Sequence, residues 1–246
     1  RVYELTRFLT KRMCKILWIL LNLTLTTVVF AFCPTHLKKL CTCEDGGSGF
    51  IIACQGLGTD FNKFLGSLEK LRINRLTVID ASWPTFKKLS HIVTVRSLRL
   101  VRCGIKEIEP DAFLTVSETL EELVLANNSL QQLPTIGNLP KLHYLNFNHN
   151  KLTQISANTF TGCRQLSHLR LEGNQLKTLP SGVFDMQSDR LELLDLSSNW
   201  LTKVPSAALE ATKNLKYLDL SYNSLEGIRD SDFQTLQKLI ELRLNG

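Results

Sequence analysis

The chain has 246 residues, of which 43% are hydrophobic and 21% are charged, with 29 lysines and arginines against 23 aspartates and glutamates. Its formal charge of +6 is unevenly placed, because residues 1–32 hold five basic residues and one acidic residue and so carry +4 of it. The remaining +2 is too small to indicate nucleic-acid binding through a basic surface. The composition therefore predicts no nucleic-acid partner.

The N-terminal segment is typical of a secretory signal. Met13 and a basic residue precede an apolar run over residues 16–29, and the small residue Ala31 follows it. This order predicts a signal peptide over residues 13–31, cleaved after Ala31. Residues 1–12 are then a translated leader upstream of the start. The alternative is a signal anchor that stays in the membrane, although the run is short for a complete span.

Four cysteines follow in the order C-P…C-x-C…C, within residues 32–67 and ahead of the repeats. They are Cys33, Cys41, Cys43 and Cys54. Four cysteines allow three disulfide connectivities. Zinc binding is the alternative, but a secretory signal sends the chain to an oxidising compartment, where disulfides form and persist. We therefore predict disulfides in this segment.

Residues 68–246 repeat one pattern. Leu166–Leu176 reads L-S-H-L-R-L-E-G-N-Q-L, with leucines at positions 1, 4, 6 and 11 and an asparagine at position 9. The second leucine recurs every 22 to 25 residues, at Leu123, Leu145, Leu169, Leu194, Leu218 and Leu242. Weaker copies have this leucine at Leu98, with Cys103 in the asparagine position, and at Leu71, with Leu76 in that position. The alternation L-x-L predicts one short strand in each of about eight units.

Two further columns recur with the repeat. The asparagines are predicted to form a buried ladder that satisfies backbone groups of the turning chain, and they are Asn128, Asn150, Asn174, Asn199 and Asn223. Phenylalanines recur in the returning half of the units, at Phe113, Phe160, Phe184 and Phe233, with Phe86 as a candidate earlier member. They are predicted to form an aromatic spine on the convex side.

The pattern L-x-x-L-x-L-x-x-N-x-L, with a period near 24 residues, resembles that of the extracellular leucine-rich-repeat family. The resemblance implies an α/β solenoid, a horseshoe with a parallel concave β-sheet and an irregular or 3-10 convex side. It also implies an N-terminal disulfide cap over residues 32–67 that pairs Cys33 with Cys43 and Cys41 with Cys54. The T-L-E-E-L at Thr119–Leu123 is similar to that of arthropod secreted members, including relatives of the non-catalytic subunit of the Oplophorus luciferase.

The sequence carries no motif of a nucleophilic hydrolase, a kinase or a dinucleotide-binding enzyme. Asp195 and Asp219 fall in one column and could form a catalytic carboxylate pair. However, L-D-L-S-x-N is the commonest sequence of the repeat, which favours a structural role for both. The five histidines lack metal-ligand spacing. We therefore predict that the protein is not an enzyme and holds no cofactor or metal.

What remains is a binding surface, since residues beside the strand leucines vary freely. Candidate contact residues are the tyrosines Tyr144, Tyr217 and Tyr222 and the basic residues Lys70, Arg72, Arg75, Arg99 and Arg102. The basic residues predict one patch that docks an anionic extracellular partner, either an acidic protein face or a glycosaminoglycan. The alternative is a solvated basic strip.

These features predict a secreted or cell-surface protein that binds a protein ligand, as a receptor, adhesion protein or ligand-binding protein. The alternative is a non-catalytic subunit or carrier of a secreted enzyme complex. Asn127 begins the one glycosylation sequon outside the predicted signal peptide, so we expect a glycan there. The last unit stops at Gly246, before its ladder asparagine, which predicts further repeats and a second cap downstream. Membrane attachment would require a span in that downstream part.

Overall fold

The computed structural model describes residues 37–69, 71–90, 94–133 and 136–246. The chain divides into two units, Arg1–Phe32 and Cys33–Gly246, and all described residues belong to the second. The predicted leader, the predicted signal peptide and Cys33 lie outside the described residues. Among the described residues, no helix combines the length and the apolar character that a membrane crossing needs.

In the described part of the chain, ten strands form one sheet and two strands form a second. The strands are β1 (Cys41–Asp45), β2 (Phe50–Gln55), β3 (Ile73–Ile79), β4 (Thr85–Phe86), β5 (Val95–Val101), β6 (Glu107–Ile108), β7 (Glu122–Val124), β8 (Tyr144–Asn146), β9 (His168–Arg170), β10 (Leu193–Asp195), β11 (Tyr217–Asp219) and β12 (Glu241–Arg243). The large sheet has the order β1-β2-β3-β5-β7-β8-β9-β10-β11-β12. β1 and β2 form an antiparallel hairpin, and every later neighbour pair is parallel. The predicted repeat solenoid is therefore confirmed.

The hairpin β1–β2 closes the N-terminal end of the sheet. Cys41 and Cys54 face each other across the hairpin and form a disulfide, as the family resemblance implies. Cys43 is also disulfide-bonded, and its predicted pairing with Cys33 stays a prediction. Helix α1 (Phe61–Ser67) follows the hairpin, and Asp60 caps it by accepting a hydrogen bond from the Lys63 amide at 2.9 Å.

One row of leucines defines the register of the sheet. Seven of its members were predicted as the second leucine of their units, and the strand pairing aligns them in order: Leu98, Leu123, Leu145, Leu169, Leu194, Leu218 and Leu242. All but Leu242 are buried. Because alternate residues of a strand point to opposite faces, this row lies in the core and its neighbours lie on the other face.

The predicted register of the first unit is wrong by five residues. Leu76, not Leu71, is opposite Leu98, and Leu71 precedes β3. Leu76 is buried in the core. Ala81 then stands five residues after the row leucine, where later repeats have asparagine. Without that asparagine as a marker, two leucines five residues apart allow two alignments, and strand pairing with the cap selects the second.

The asparagine ladder is present. Asn174 donates from Nδ2 to the carbonyls of Phe147 at 3.1 Å and Leu171 at 2.9 Å, and its Oδ1 accepts from the Leu152 amide at 3.1 Å. The side chain therefore connects its own turn to the preceding repeat. Cys103 occupies the same column but makes only the donor half of this pattern, from Sγ to the carbonyls of Val78 and Val101, each at 3.5 Å.

The convex side is built from short turns and aromatic rings. It contains 3-10 turns at Leu114–Val116, Asp185–Gln187 and Asp230–Phe233, and a one-turn helix α2 (Ser206–Leu209). Phe160 and Phe184 stack with ring centroids 6.1 Å apart, and Phe86 stacks on Phe113 at 5.4 Å. Phe86 packs against the spine from a different position of the repeat, because strand pairing places it opposite Ile108.

The spine is interrupted where the Leu123 repeat lacks a phenylalanine. Ile136 and Leu139 are buried there. The amide of Leu139 donates to the Gly162 carbonyl at 3.1 Å, so the two chain segments are in direct contact. A Cβ at position 162 would lie 2.0 Å from the Gly137 carbonyl oxygen. Only glycine permits this approach.

Candidate functional site

The concave face of the sheet carries two aligned rows of side chains, on the residues that flank the core row. The first row lies on the residue before each core leucine: Ile51, Arg75, Ser97, Glu122, Tyr144, His168, Leu193, Tyr217 and Glu241. The second row lies on the residue after it: Ala53, Thr77, Arg99, Val124, Asn146, Arg170, Asp195, Asp219 and Arg243. Parallel pairing places neighbouring members on strands about 4.8 Å apart. These rows are the candidate binding surface.

The first row carries an aromatic and apolar stripe in the later repeats, which we call the concave stripe: Tyr144, His168, Leu193 and Tyr217. The rings of Tyr144 and His168 have centroids 6.3 Å apart. Tyr217 is 40% exposed. Burial lowers the pKa of the His168 imidazole below its ordinary value of 6.5, and the side chain makes a 2.8 Å contact from Nδ1 to Ser167 Oγ. A neutral His168 thus belongs to an amphipathic surface that is half covered by its neighbours.

Two ion pairs follow the concave stripe in the second row. Arg170 Nη1 lies 3.8 Å from Asp195 Oδ2, and Arg243 Nη1 lies 3.7 Å from Asp219 Oδ2. These residues and Tyr217 line a shallow cavity of about 160 Å³. The arginine charges on this part of the face are therefore balanced by carboxylates of the protein itself.

The two aspartates are occupied by the turns that follow their strands. Asp195 Oδ1 accepts from the amide and the hydroxyl of Ser197, at 3.1 and 2.7 Å. Asp219 makes the same pair of contacts with Ser221, with 2.9 Å from the amide. Each carboxylate thus holds its own turn and faces an arginine. Asp195 and Asp219, which the sequence analysis considered as a carboxylate pair, therefore both have structural roles.

The first two repeats present a different surface. Arg75 and Arg99 lie on the adjacent strands β3 and β5, and within the described part of the chain neither has a carboxylate within 4.0 Å. Thr77, Ile79 and Val101 lie beside them on the same face. We call Arg75 and Arg99 the arginine pair.

The structure places the predicted basic residues Arg72 and Arg102 outside the concave rows that hold the arginine pair. Arg72 precedes β3 and is exposed, and Lys70 lies outside the described residues. Arg102 lies at the end of β5, where its Nε donates to Asp80 Oδ1 at 2.7 Å. This hydrogen bond lowers the pKa of Asp80. Of the four predicted basic contact residues that the structure describes, only Arg75 and Arg99 share the concave rows.

Tyr222 and Asn127 lie in a column that sequence reasoning missed. Four residues after each core leucine the backbone has positive φ, at Asp80, Arg102, Asn127, His149, Gly173, Ser198, Tyr222 and Gly246. Tyr222 is 65% exposed at the end of its strand, beside the concave rows rather than in them. Asn127 is exposed at the same position of its repeat. The glycines in this column, Gly173 and Gly246, were the sequence signal for it.

Leu193 was also missed as a surface residue. It stands in the run L-E-L-L-D-L, where a leucine reads as core. Counting alternation from Leu194 and Leu196 places it on the concave face, where it is half-buried.

In the described ranges, no cluster of side chains is arranged to hold a metal ion, and the two free thiols are buried. No group of three or more histidine, cysteine, aspartate or glutamate side chains is placed there to hold a metal ion. Cys103 and Cys163 are buried free thiols. Burial raises the pKa of the Cys103 thiol and raises that of Cys163 to about 12, so both stay protonated and unreactive.

Comparison with known proteins finds the same repeat. The family model described as leucine rich repeat matches residues 120–176 and 189–246. Fibromodulin of Sus scrofa is 34% identical over 122 residues, which cover 49% of this chain and 78% of that protein. Lumican of Oryctolagus cuniculus is 31% identical over 131 residues, which cover 52% of this chain and 66% of that protein.

Among solved structures, Toll in the Toll–Spatzle complex of Drosophila superposes with a TM-score of 0.69 at 26% sequence identity. The match covers 77% of this chain but 26% of the Toll chain. The chain thus matches about a quarter of the Toll chain, 78% of the fibromodulin and 66% of the lumican.

Proposed function

The chain belongs to the extracellular leucine-rich-repeat family, and on that premise we propose that it binds a protein partner outside the cell through the concave face of its sheet. The proposal includes secretion or display at the cell surface, as the signal peptide predicted over residues 13–31 would direct. No nucleic acid, cofactor or metal is part of the proposed function. The closer resemblance to arthropod secreted proteins stays a prediction.

The concave stripe is the observation that carries this proposal. Tyr144, His168, Leu193 and Tyr217 line up on four adjacent strands without entering the core. Tyrosine provides a large contact area with little conformational entropy to lose, and aromatic residues are enriched at the centres of protein interfaces. The ion pairs beside the stripe provide a polar rim. Because the strands are held by the ladder and the core, the stripe is rigid before any partner arrives.

Toll is solved in complex with Spatzle, which supports protein binding as a use of this architecture. Because the match covers only 26% of the Toll chain, Spatzle itself is not proposed as the ligand of this protein. The alternative of a non-catalytic subunit of a secreted enzyme complex would use the same face. It would be recognised by an enzyme among the captured partners.

A glycan placed on the concave face tests the proposal. Asn148→Ser creates the sequon Asn146-Phe147-Ser at the centre of the second row. Serine already stands in the equivalent place at Ser197, where it donates to the preceding aspartate, so the repeat accommodates it. The matched control is Gln154→Asn, which creates a sequon with Ile155 and Ser156 at an exposed position outside the large sheet.

Tagged full-length chains would be secreted, checked for glycan occupancy by mass, and used to capture partners from the extracellular fluid of the native source. We expect a specific partner that is captured by the wild type and by Gln154→Asn and is lost with Asn148→Ser. The double variant Asn146→Gln, Asn148→Ser lacks the sequon and should recover capture. Equal capture by both glycosylated variants would place binding elsewhere.

Asn127 is proposed as the natural glycosylation site. Its side chain is exposed at the end of β7 and beside the concave rows, where a glycan would limit partner contact to the face itself. Peptide N-glycosidase should lower the mass of the secreted wild type and leave Asn127→Gln unchanged. A wild type whose mass does not respond would contradict this assignment.

A further inference from the structure

The four arginines of the concave rows differ in how their charge is balanced. In the later repeats, Arg170 lies 3.8 Å from Asp195, and Arg243 lies 3.7 Å from Asp219 and donates to Glu241 at 2.6 Å. In the first two repeats, Arg75 and Arg99 have no ion-pair partner among the described residues. The one unbalanced basic area of the concave face is thus the arginine pair.

The two guanidinium groups are close enough to act together. β3 and β5 are neighbouring strands, and the register places Arg75 opposite Ser97, two residues before Arg99. With strands about 4.8 Å apart and about 3.3 Å per residue, their Cα atoms lie roughly 8 Å apart. This is within about one Debye length at physiological salt. The guanidinium group is weakly hydrated and forms paired hydrogen bonds with carboxylates.

The nearest carboxylate in the rows is committed elsewhere. Glu122 follows Ser97 in the first row, and its Oε2 accepts a hydrogen bond from the Ser97 hydroxyl at 2.8 Å. Ser97 is only 5% exposed, so this contact is largely shielded from water. Glu122 therefore offsets part of the local charge without closing an ion pair on either arginine.

Uncharged residues lie beside the arginine pair on the same face. They are Thr77 and Ile79 on β3 and Val101 on β5. Ile79 and Val101 are half-buried, so part of each side chain can be covered by a partner. A glycosaminoglycan offers sulfates and hydroxyls but no apolar side chains for this floor. An acidic polypeptide that also carries apolar side chains offers both complements.

We propose that the arginine pair and the adjacent floor of Thr77, Ile79 and Val101 form the docking site for an acidic protein segment. The segment would place carboxylates on Arg75 and Arg99 and an apolar side chain beside Arg99, on Ile79 and Val101. This inference rests on the proposed protein-binding function of the concave face and names the chemistry of the partner. A sulfated polysaccharide, which the arginines alone would also accept, is an outcome that the test separates.

The test compares three anionic probes on the secreted full chain: a soluble random copolymer of glutamate and tyrosine, polyglutamate of the same length, and heparin. The variant is Arg75→Ser with Arg99→Thr. The control is Arg96→Ser with Arg102→Ser, which removes the same charge from arginines that lie near Glu121 and Asp80. Each new residue already occurs at the same repeat position in another unit. The models for Arg75→Ser and Arg99→Thr are Ser97 and Thr77, and those for Arg96→Ser and Arg102→Ser are Ser167 and Ser198. The readout is half-saturating probe concentration at several salt concentrations.

We expect the copolymer to bind the wild type more tightly than polyglutamate or heparin does. The Arg75, Arg99 variant should lose about tenfold or more of that affinity, and the control should stay within about twofold. Equal binding of copolymer and polyglutamate would overturn the role of the floor. Tighter heparin binding that depends on the arginine pair would assign the site to polysaccharide. An equal loss in the control would reduce the effect to net charge.

The outcome is separable from that of the proposed function. If the arginine pair proves indifferent to all three probes while the glycan at Asn146 still abolishes partner capture, the concave face is used and the partner chemistry inferred here is wrong. If capture is insensitive to the glycan as well, the proposed function fails with it.

Discussion

The first two repeats, with strands β3 and β5, and the later repeats, with strands β7 to β12, solve the same packing problem differently. In the later repeats an asparagine such as Asn174 connects its turn to the repeat before it. The first two repeats have Ala81 and Cys103 in that column. Their strands run seven residues, against three in the later repeats, and β3 also pairs with the disulfide-bonded hairpin.

The comparison teaches which positions the fold requires and which it leaves free. Core leucines continue through both regions, while the ladder asparagine can be dispensed with where longer strand pairing and a cap hold the repeats together. The concave rows also change from balanced ion pairs to an unbalanced arginine pair. Because these rows lie on the face opposite the core leucines, their chemistry can differ between the regions while the core row stays the same.

The largest effect is expected in the spine of the later repeats. Phe184 is fully buried and stacks on Phe160, so Phe184→Ala should lower the free energy of unfolding by about 3–5 kcal/mol. Urea denaturation followed by circular dichroism measures this. Met186 lies in the 3-10 turn that follows Phe184 and is 49% exposed. Met186→Ala should therefore change the free energy of unfolding by no more than about 0.5 kcal/mol. Similar losses in both variants would mean that the spine does not support the later repeats.

The ladder provides the next test, and it sharpens the comparison directly. Asn174→Ala leaves the buried Leu152 amide without its partner and removes one of the two side-chain amides that donate to each of the Phe147 and Leu171 carbonyls, which should cost about 2–3 kcal/mol. Cys103→Ala removes only a weak sulfhydryl donor and should cost about 1 kcal/mol. The two values come from the same urea experiment. Equal losses of unfolding free energy in the two variants would show that this column stabilises both regions to the same extent.

The smallest effect is a pH dependence of the later repeats. Burial lowers the pKa of His168 in the folded state, so the unfolded chain binds more protons than the folded chain below the ordinary pKa of about 6.5. The free energy of unfolding should therefore fall as pH decreases through about 6.5 and below. His168→Gln should flatten this part of the profile. A variant with the unchanged slope of the wild type would assign the dependence to other groups.

Much of the fold could be predicted from the sequence, because each repeat states the same pattern again. Leu123, Leu145 and Leu169 fix a register that six aligned copies support. The first repeat could not be aligned, since Ala81 gives no marker and Leu71 and Leu76 compete for one position. The local sequence was therefore sufficient to predict the strand register where the pattern repeats. It was insufficient in the first repeat, whose register is set by its pairing with the cap.

The candidate site was predicted less completely, because its properties depend on which side chains meet across repeats. The tyrosines Tyr144 and Tyr217 could be placed on the concave face from alternation alone. That Arg102 pairs with Asp80 while Arg99 has no such partner follows from distances between residues more than 20 positions apart. No local pattern distinguishes the two arginines.

The central claim is that partners contact the concave face, and photo-crosslinking tests it most directly. A benzophenone amino acid would replace Tyr217 on the concave face in one chain and Leu114 on the convex side in another, with wild-type exposures of 40% and 56%. After irradiation with the native extracellular fluid, we predict a discrete crosslinked partner from position 217 and none from position 114. Crosslinking of the same partner mainly from position 114 would contradict the account.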